Sequence, residues 1–180
     1  VNETNVGLDF RTLNSRMTIE ADWYYRLTQN AVIDAPLPMG AGNLLGNRGE
    51  ILNTGVELSF NWADKIGKDF SYYIGANLTT LHNEVKDLNG LSYLYGGSAE
   101  FRTISQVGGE LNAYYGYDIE GVYQNAAEIA ADPIAVANGL EPGDFKYVDQ
   151  NKDGKIDNKD SVTLGSYIPN FNYVINLGFS

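Results

Sequence analysis

"MTIEADWYYRL", residues 17–27, alternates in polarity almost residue by residue. Met17, Ile19, Ala21, Trp23, Tyr25 and Leu27 fall on one side of an extended chain. Thr18, Glu20, Asp22, Tyr24 and Arg26 fall on the other. Successive strand residues point to opposite faces, so this period of two predicts a β-strand with one apolar and one wet face. Just upstream, "VGLDFRT" sets Val6, Leu8, Phe10 and Thr12 against Gly7, Asp9 and Arg11. A turn at Asn14-Ser15 would pair Val6 with Trp23, Leu8 with Ala21, Phe10 with Ile19 and Thr12 with Met17. One register then keeps every apolar side chain on the same face.

The pattern returns downstream. "VELSFNW" presents Val56, Leu58, Phe60 and Trp62, and "FSYYIGANL" presents Phe70, Tyr72, Ile74, Ala76 and Leu78, with "ADKIGKD" (63–69) as the turn. The final segment sets Phe171, Tyr173, Ile175, Leu177 and Phe179 against Asn170, Asn172, Asn176, Gly178 and Ser180. Five strands of roughly ten residues each have the length a tilted strand needs to cross a bilayer. The connections alternate between short (14–15, 63–69) and long (28–52, 82–168). The first long one is rich in Pro, Gly and Asn and reads as loop. The second is expected to hold extra strands and one short helix around "NAAEIAAD" (125–132).

The expected fold is all-β: antiparallel strands of a transmembrane β-barrel, a partial barrel segment with long extracellular loops. The whole of 1–180 is read as one barrel segment. Its hairpins lie at about 5–27 and 55–81, its long loop region at about 82–168 and its last strand at about 170–180. The competing reading is a soluble β-sandwich. Aromatics near the strand ends, charges at Asp9, Arg11, Glu20, Asp22, Arg26 and Glu57, and the long loops weigh toward the barrel.

The totals narrow the function. The 180 residues carry 23 acidic and only 12 basic side chains, for a net charge of −11. No basic cluster interleaves with aromatics, so nucleic acid is not an expected partner. With no cysteine, disulfides, thiolate zinc sites and thiol chemistry are excluded. Thirteen tyrosines and twenty glycines suit strands, turns and aromatic-lined surfaces. No apolar run approaches the ~20 residues of a membrane helix. The first residues lack the pattern of a signal peptide, and both ends fall within strand-like sequence. The chain is therefore expected to be a piece of something longer.

"DQNKDGKIDNKD" (149–160) has the spacing of an EF-hand-like calcium loop. Asp149, Asn151 and Asp153 offer side-chain oxygens, Lys155 a backbone carbonyl, and Asp157 a direct or water-mediated ligand. Gly154 permits the sharp turn and Ile156 anchors the loop. Asp160 stands where a longer Glu would give a bidentate contact, so its reach is shorter. Strand-like sequence flanks the loop, and no second loop accompanies it. A structural Ca2+ clamp on an external loop fits this setting, and a calcium sensor does not.

The order of these segments resembles the C-terminal barrel region of SusC/RagA-type TonB-dependent outer-membrane transporters. The resemblance is carried by "DWYYRLTQNAVIDAPLP", "NRGEILNTGVELSF", "GYDIEGVYQN" and "PGDFKYVDQNKDGKIDNKDSVTLGSYIPNFNYVINLGFS". It implies energy-dependent import of oligosaccharides, or of peptides, across the outer membrane of a Gram-negative bacterium. It further implies a SusD-like surface lipoprotein as partner, strands facing outer-membrane lipid, and TonB acting through a plug domain not present in this chain. The alternative is a soluble extracellular calcium-stabilised module that binds glycans.

Tyr93, Tyr95, Tyr114, Tyr115, Tyr117 and Tyr123 are candidate ligand contacts, since aromatic faces stack on sugar rings. They could equally form the core of a large loop or meet the partner lipoprotein. Glu20, Asp22 and Asp9 come close enough in the expected register for a glycosidase pair. Balance by Arg11 and Arg26 on a wet lumen face explains them as well. His82, the only histidine, has no Ser/Asp partners, and "GGSAEF" (96–101) lacks the lysine and helix of a phosphate loop. No catalytic centre is expected, and the protein is read as a non-enzyme.

Overall fold

Val6 faces Trp23, Leu8 faces Ala21, Phe10 faces Ile19 and Thr12 faces Met17 across the first hairpin, the register the alternation requires. The computed structural model describes residues 1–36, 43–98 and 100–180. Strands β1 (Asn2–Thr12), β2 (Met17–Pro36), β3 (Asn43–Ile66), β4 (Phe70–Thr80) and β12 (Phe171–Phe179) lie side by side in one antiparallel sheet. Strand β5 (His82–Asp87) pairs with β3 in the same sheet. The remaining elements are β6 (Tyr93–Gly97), β7 (Arg102–Gln106), β8 (Ala113–Tyr117), β9 (Ile119–Val122) and the helices α1 (Ala126–Ala131) and α2 (Pro133–Asn138). Beyond them come β10 (Phe145–Tyr147), a 3-10 turn (Asn158–Asp160) and β11 (Ser161–Gly165). The chain divides into two units: residues 1–94, 105–111 and 168–180, and residues 95–104 and 112–167.

In the first unit, facing residues across neighbouring strands share a side of the sheet. Leu8, Ala21, Leu58, Leu78 and Tyr173 form one apolar row, and Phe10, Ile19, Phe60, Ala76 and Ile175 form the next. The opposite side carries the rows Gly7, Asp22, Glu57, Thr79, Asn172 and Asp9, Glu20, Ser59, Asn77, Val174. The apolar rows are bare: Leu8 is 65% exposed, Ile175 64% and Leu177 71%. The buried apolar side chains of this unit, Leu52, Val85 and Leu88, lie instead around the pairing of β3 with β5. There the segment 105–111 is stitched to β5. Val85 N–H donates to the Gly109 carbonyl, Gly108 N–H to that of Val85, and Leu111 N–H to the buried Asn83 side chain, each at 2.8 Å.

Several expected boundaries need correction. Residues 28–36 and 43–52 are strand, not loop: β2 and β3 stay paired out to Pro36 opposite Asn43. The register shifts around Thr28–Ala31, where Asn30 takes a positive φ of 56° and absorbs the irregularity. The centre of that expected loop, residues 37–42, lies outside the described residues. The turn placed at 63–69 is shorter, since β3 runs to Ile66 opposite Phe70. The first hairpin closes through 13–16 instead of two residues, with Leu13, Asn14 and Ser15 all at positive φ. The stretch 82–168 holds further strands, as expected, beginning with β5, which continues the main sheet. α1 falls where a helix was expected, and α2 follows it directly.

Strands β4 and β5 keep one offset along β3: Glu57 faces Thr79 and Thr54 faces His82. Between them the ladder breaks. The Thr80 hydroxyl takes the Val56 N–H at 3.0 Å, and Leu81 N–H turns to the Asn170 carbonyl at 3.0 Å. Gly55 is buried at this break, directly under the Thr80 carbonyl and the Tyr24 phenol.

Strands β6, β7, β8 and β11 form a four-stranded sheet, in the order β11-β8-β7-β6, of which β8 and β11 lie wholly in the second unit, and there β9 pairs with β10 as a ribbon. Asn125 caps α1 and Asp132 caps α2, with Pro133 at the helix start and Gly139 closing it in the left-handed region.

Candidate functional site

The loop 149–160 holds itself in shape through its own acidic side chains. Asp149 accepts from the N–H groups of Asp153 (3.2 Å) and Gly154 (2.8 Å). Asn151 accepts from Asp153 N–H at 2.9 Å, and Asp153 accepts from Lys155 N–H at 3.1 Å. Gly154 has φ +81°, as the tight turn demands. Lys155 shows only its N–H in this network. Asp157 caps the 3-10 turn by accepting from Lys159 N–H, and receives the Asp160 carboxylate on its own N–H at 2.8 Å.

Asp160 is fully buried and also accepts from Gln150 N–H at 3.0 Å. The Asp157 N–H, above all, holds its carboxyl below the usual carboxylate range, with Asn151 and Gln150 adding to the effect. The twelfth residue of the loop thus serves as a backbone clamp. Among the described residues, no three His, Cys, Asp or Glu side chains converge as a ready-made metal centre. The donor set at Asp149, Asn151 and Asp153 is nonetheless hard oxygen, gathered within one turn, and suits calcium in type.

The six tyrosines do not form one site. Tyr123 is buried and donates its hydroxyl to Asp132 at 2.5 Å. Burial and that carboxylate push the phenol up to about 12, and the phenol in turn lowers Asp132. Tyr123 is thus tied to the cap of α2, and it lines a cavity of about 420 Å3 with Glu128, Ala131, Asp132, Pro133 and Lys146. Tyr95 leans on Tyr115, with centroids 5.5 Å apart, and Tyr117 leans on Tyr147 at the same spacing. Tyr93 and Tyr114 are about half exposed.

Phe145 continues the Tyr117–Tyr147 run at 6.2 Å, and Arg102 lies over Tyr95 at 5.9 Å. Sequence reasoning passed over both. Phe145 and Tyr147 are two apart on one strand, a spacing of two that marks a shared face. No comparable signal marks Arg102.

On the wet side of the main sheet, Asp9 faces Glu20 and Asp22 faces Glu57. Arg26 pairs with Glu3 at 2.9 Å, so it does not balance them. Arg11 sits opposite Thr18. His82 is exposed and lies 3.4 Å from Glu84, which Lys86 also holds at 2.8 Å.

No family model matches the sequence. The chain is 30% identical over 169 residues to the TonB-dependent receptor SusC of Bacteroides thetaiotaomicron, covering 87% of this chain and 15% of that protein. The TonB-dependent receptor P26 of Formosa agariphila is 29% identical over 180 residues, covering 93% of this chain and 17% of the relative. The chain is related to TonB-dependent receptors of the SusC type. Its fold agrees: 99% of it superposes on 18% of a chain of the RagAB peptide importer in the open-open state, with TM-score 0.76 and 24% identity. The closed-closed state of the same importer gives TM-score 0.71 at 25% identity. This chain spans less than a fifth of the length of the SusC-type relatives it matches. They are named as receptors, and the bare apolar face described above belongs to a sheet of their fold.

Proposed function

We propose that this chain is a barrel segment of an outer-membrane importer of a Gram-negative bacterium, its apolar sheet face set against lipid. The observation that carries the reading is the pair of unlike sheet faces. One side is an apolar surface across five strands, exposed at Leu8, Phe10, Leu58, Tyr173 and Ile175, and the other carries Asp9, Glu20, Asp22 and Glu57. Such a sheet is unfavourable in water on one side and in lipid on the other, and a barrel wall satisfies both. The imported substrates are oligosaccharides or peptides. A SusD-like lipoprotein assists capture at the cell surface, and TonB acts through a plug domain outside this chain. The segment performs no catalysis.

Deleting the gene should abolish uptake of a defined oligosaccharide or peptide pool, and cell fractionation should place the protein in the outer membrane. Unchanged uptake would sink the import reading. Recovery of the protein in the soluble fraction would instead favour the secreted glycan-binding module.

In the same proposal, calcium acts as a structural clamp held by Asp149, Asn151 and Asp153, with the Lys155 carbonyl and Asp157 completing the set. Asp160 supports it from behind by fixing the backbone. Adding EGTA to the full-length protein should raise amide exchange in 149–160, and millimolar calcium should reverse it. Asp149→Asn should weaken calcium binding about tenfold or more by removing one ligand charge. Exchange that ignores both chelator and calcium would remove the clamp.

A further inference from the structure

The turns 13–16 and 67–69 lie at the same end of the main sheet, where Ala63 N–H donates to the Arg16 carbonyl at 2.9 Å and ties them together. Beyond the apolar row Met17, Trp62, Ile74, Leu177 comes the row Asp64, Tyr72, Phe179, in which a carboxylate joins the apolar face. Arg16 reaches that carboxylate from its turn, and Nη1 donates to both Asp64 oxygens, at 3.0 and 3.3 Å. The Lys65 N–H adds a third bond at 2.8 Å. Asp64 is thereby neutralised. The Arg16 side chain is still 45% exposed, and the Lys65 ammonium makes no ion pair among the described residues. Both cations line one cavity of about 650 Å3, whose other walls include Tyr72 and Phe179. Phe70 stacks on both of these rings, with centroids 6.4 and 6.3 Å away, and builds an aromatic ledge at the end of the apolar face. The Tyr72 hydroxyl accepts from Trp62 Nε1 at 3.3 Å, so its own proton is left to donate.

In a chain of net charge −11, a cavity that presents two cations against one already paired carboxylate selects an anion. The ledge beside it selects an anion that carries hydrocarbon, since aromatic rings at the rim of a membrane span sit at the level of lipid headgroups. The geometry points to a headgroup site for an anionic phospholipid, with Arg16 and Lys65 on its phosphate, the Tyr72 hydroxyl donating to it, and the acyl chains laid along Ile74 and Leu177. Lysine and arginine close to a bilayer surface each favour anionic lipid. The inference rests on the reading of the apolar face as a lipid-facing wall, and it names the lipid at the rim of that wall. The short turns of outer-membrane barrels face the periplasm, so the leaflet beside them is phospholipid and not lipopolysaccharide.

The test is native mass spectrometry of the full-length protein in detergent, titrated with phosphatidylglycerol or with phosphatidylcholine of identical chains. Phosphatidylglycerol should bind about tenfold more tightly. Lys65→Gln, at an exposed and unpaired position, should cut that preference about fivefold, and combining it with Arg16→Gln should abolish it. Arg11→Gln removes one charge from the wet side of the sheet, opposite Thr18, and should leave the preference unchanged. Equal binding of the two lipids overturns the site, as does a preference unmoved by Lys65→Gln or lost equally in Arg11→Gln. Displacement of phosphatidylglycerol by an equal concentration of glycerophosphate overturns the lipid assignment in favour of a free phosphate ester. Tighter binding of lipid A overturns the phospholipid assignment. Cell fractionation separates the levels. Membrane-bound protein without the phosphatidylglycerol preference sinks only this site, whereas recovery in the soluble fraction sinks the wall reading beneath it.

Discussion

Asp160→Ala is expected to unfasten residues 149–160 while leaving the strand register of the main sheet intact. The side chain is fully buried, and its two oxygens receive the N–H groups of Gln150 and Asp157. Alanine leaves those part-buried donors without their acceptor, which costs more than the loss of a surface hydrogen bond. It also breaks the reciprocal cap with Asp157 that shapes the 3-10 turn. Limited proteolysis of the full-length protein should cut within 149–160 much faster in the variant, and amide exchange there should rise toward that of an open loop. Asp160→Asn, which keeps one acceptor oxygen, should fall between.

The same group sets an acid limit. Its carboxyl is held below the ordinary range, so the stability it lends is present above about pH 4 and is lost as pH falls through the lowered value. Cleavage in the native loop should therefore rise on acidification, while Asp160→Ala should lack that dependence. Equal cleavage of native and variant protein at neutral pH would show that the clamp does not hold the loop.

Gly55→Val is the substitution expected to damage the sheet itself. A side chain at residue 55 would collide with the Thr80 carbonyl and the Tyr24 phenol. The Thr80 backbone cannot move freely, because its hydroxyl already stands in for the missing ladder bond to Val56. Overpacking typically costs about 1–3 kcal/mol, and a clash with backbone lies at the upper end. Thermal unfolding should shift downward accordingly, and the folded yield should fall. Gly121→Ala is a matched control, since residue 121 has open space around it, and should stay within about 0.5 kcal/mol of the native protein. If Gly55→Val unfolded with the native midpoint, the β4–β5 break would have to be plastic.

The main sheet was legible wherever its two faces meet different surroundings. Between Met17 and Leu27 a slip of one residue would reverse every side chain, so the alternation specifies the pairing. Beyond Leu27 that contrast fades. β2 and β3 continue through Ala, Asp, Pro, Gly and Asn, a composition that marks turns, and Asn30 interrupts the period inside the strand. The adjacency of β12 and β4 follows from matching apolar rows, although about ninety residues separate Thr80 from its partner Phe171.

The candidate sites were less legible. Spacing marks out 149–160 but does not show that Asp160 would face backbone N–H groups. Tyr123 looked like its neighbours because its fate depends on Asp132, a helix cap nine residues away. Arg102 becomes conspicuous only when Tyr95 is placed beneath it.

The bond from Leu81 N–H to the Asn170 carbonyl closes the entrance to everything between β4 and β12. Between them β5 and residues 105–111 belong to the first unit, so the part open to exchange is the second unit's stretch 112–167. Loop-closure entropy grows only with the logarithm of length, so tens of residues can be gained or lost there at a cost of well under ~2 kcal/mol. The Thr80–Phe171 register need not change with them. Related chains can thus exchange whole inserts there while the strand pairing of the main sheet keeps its register.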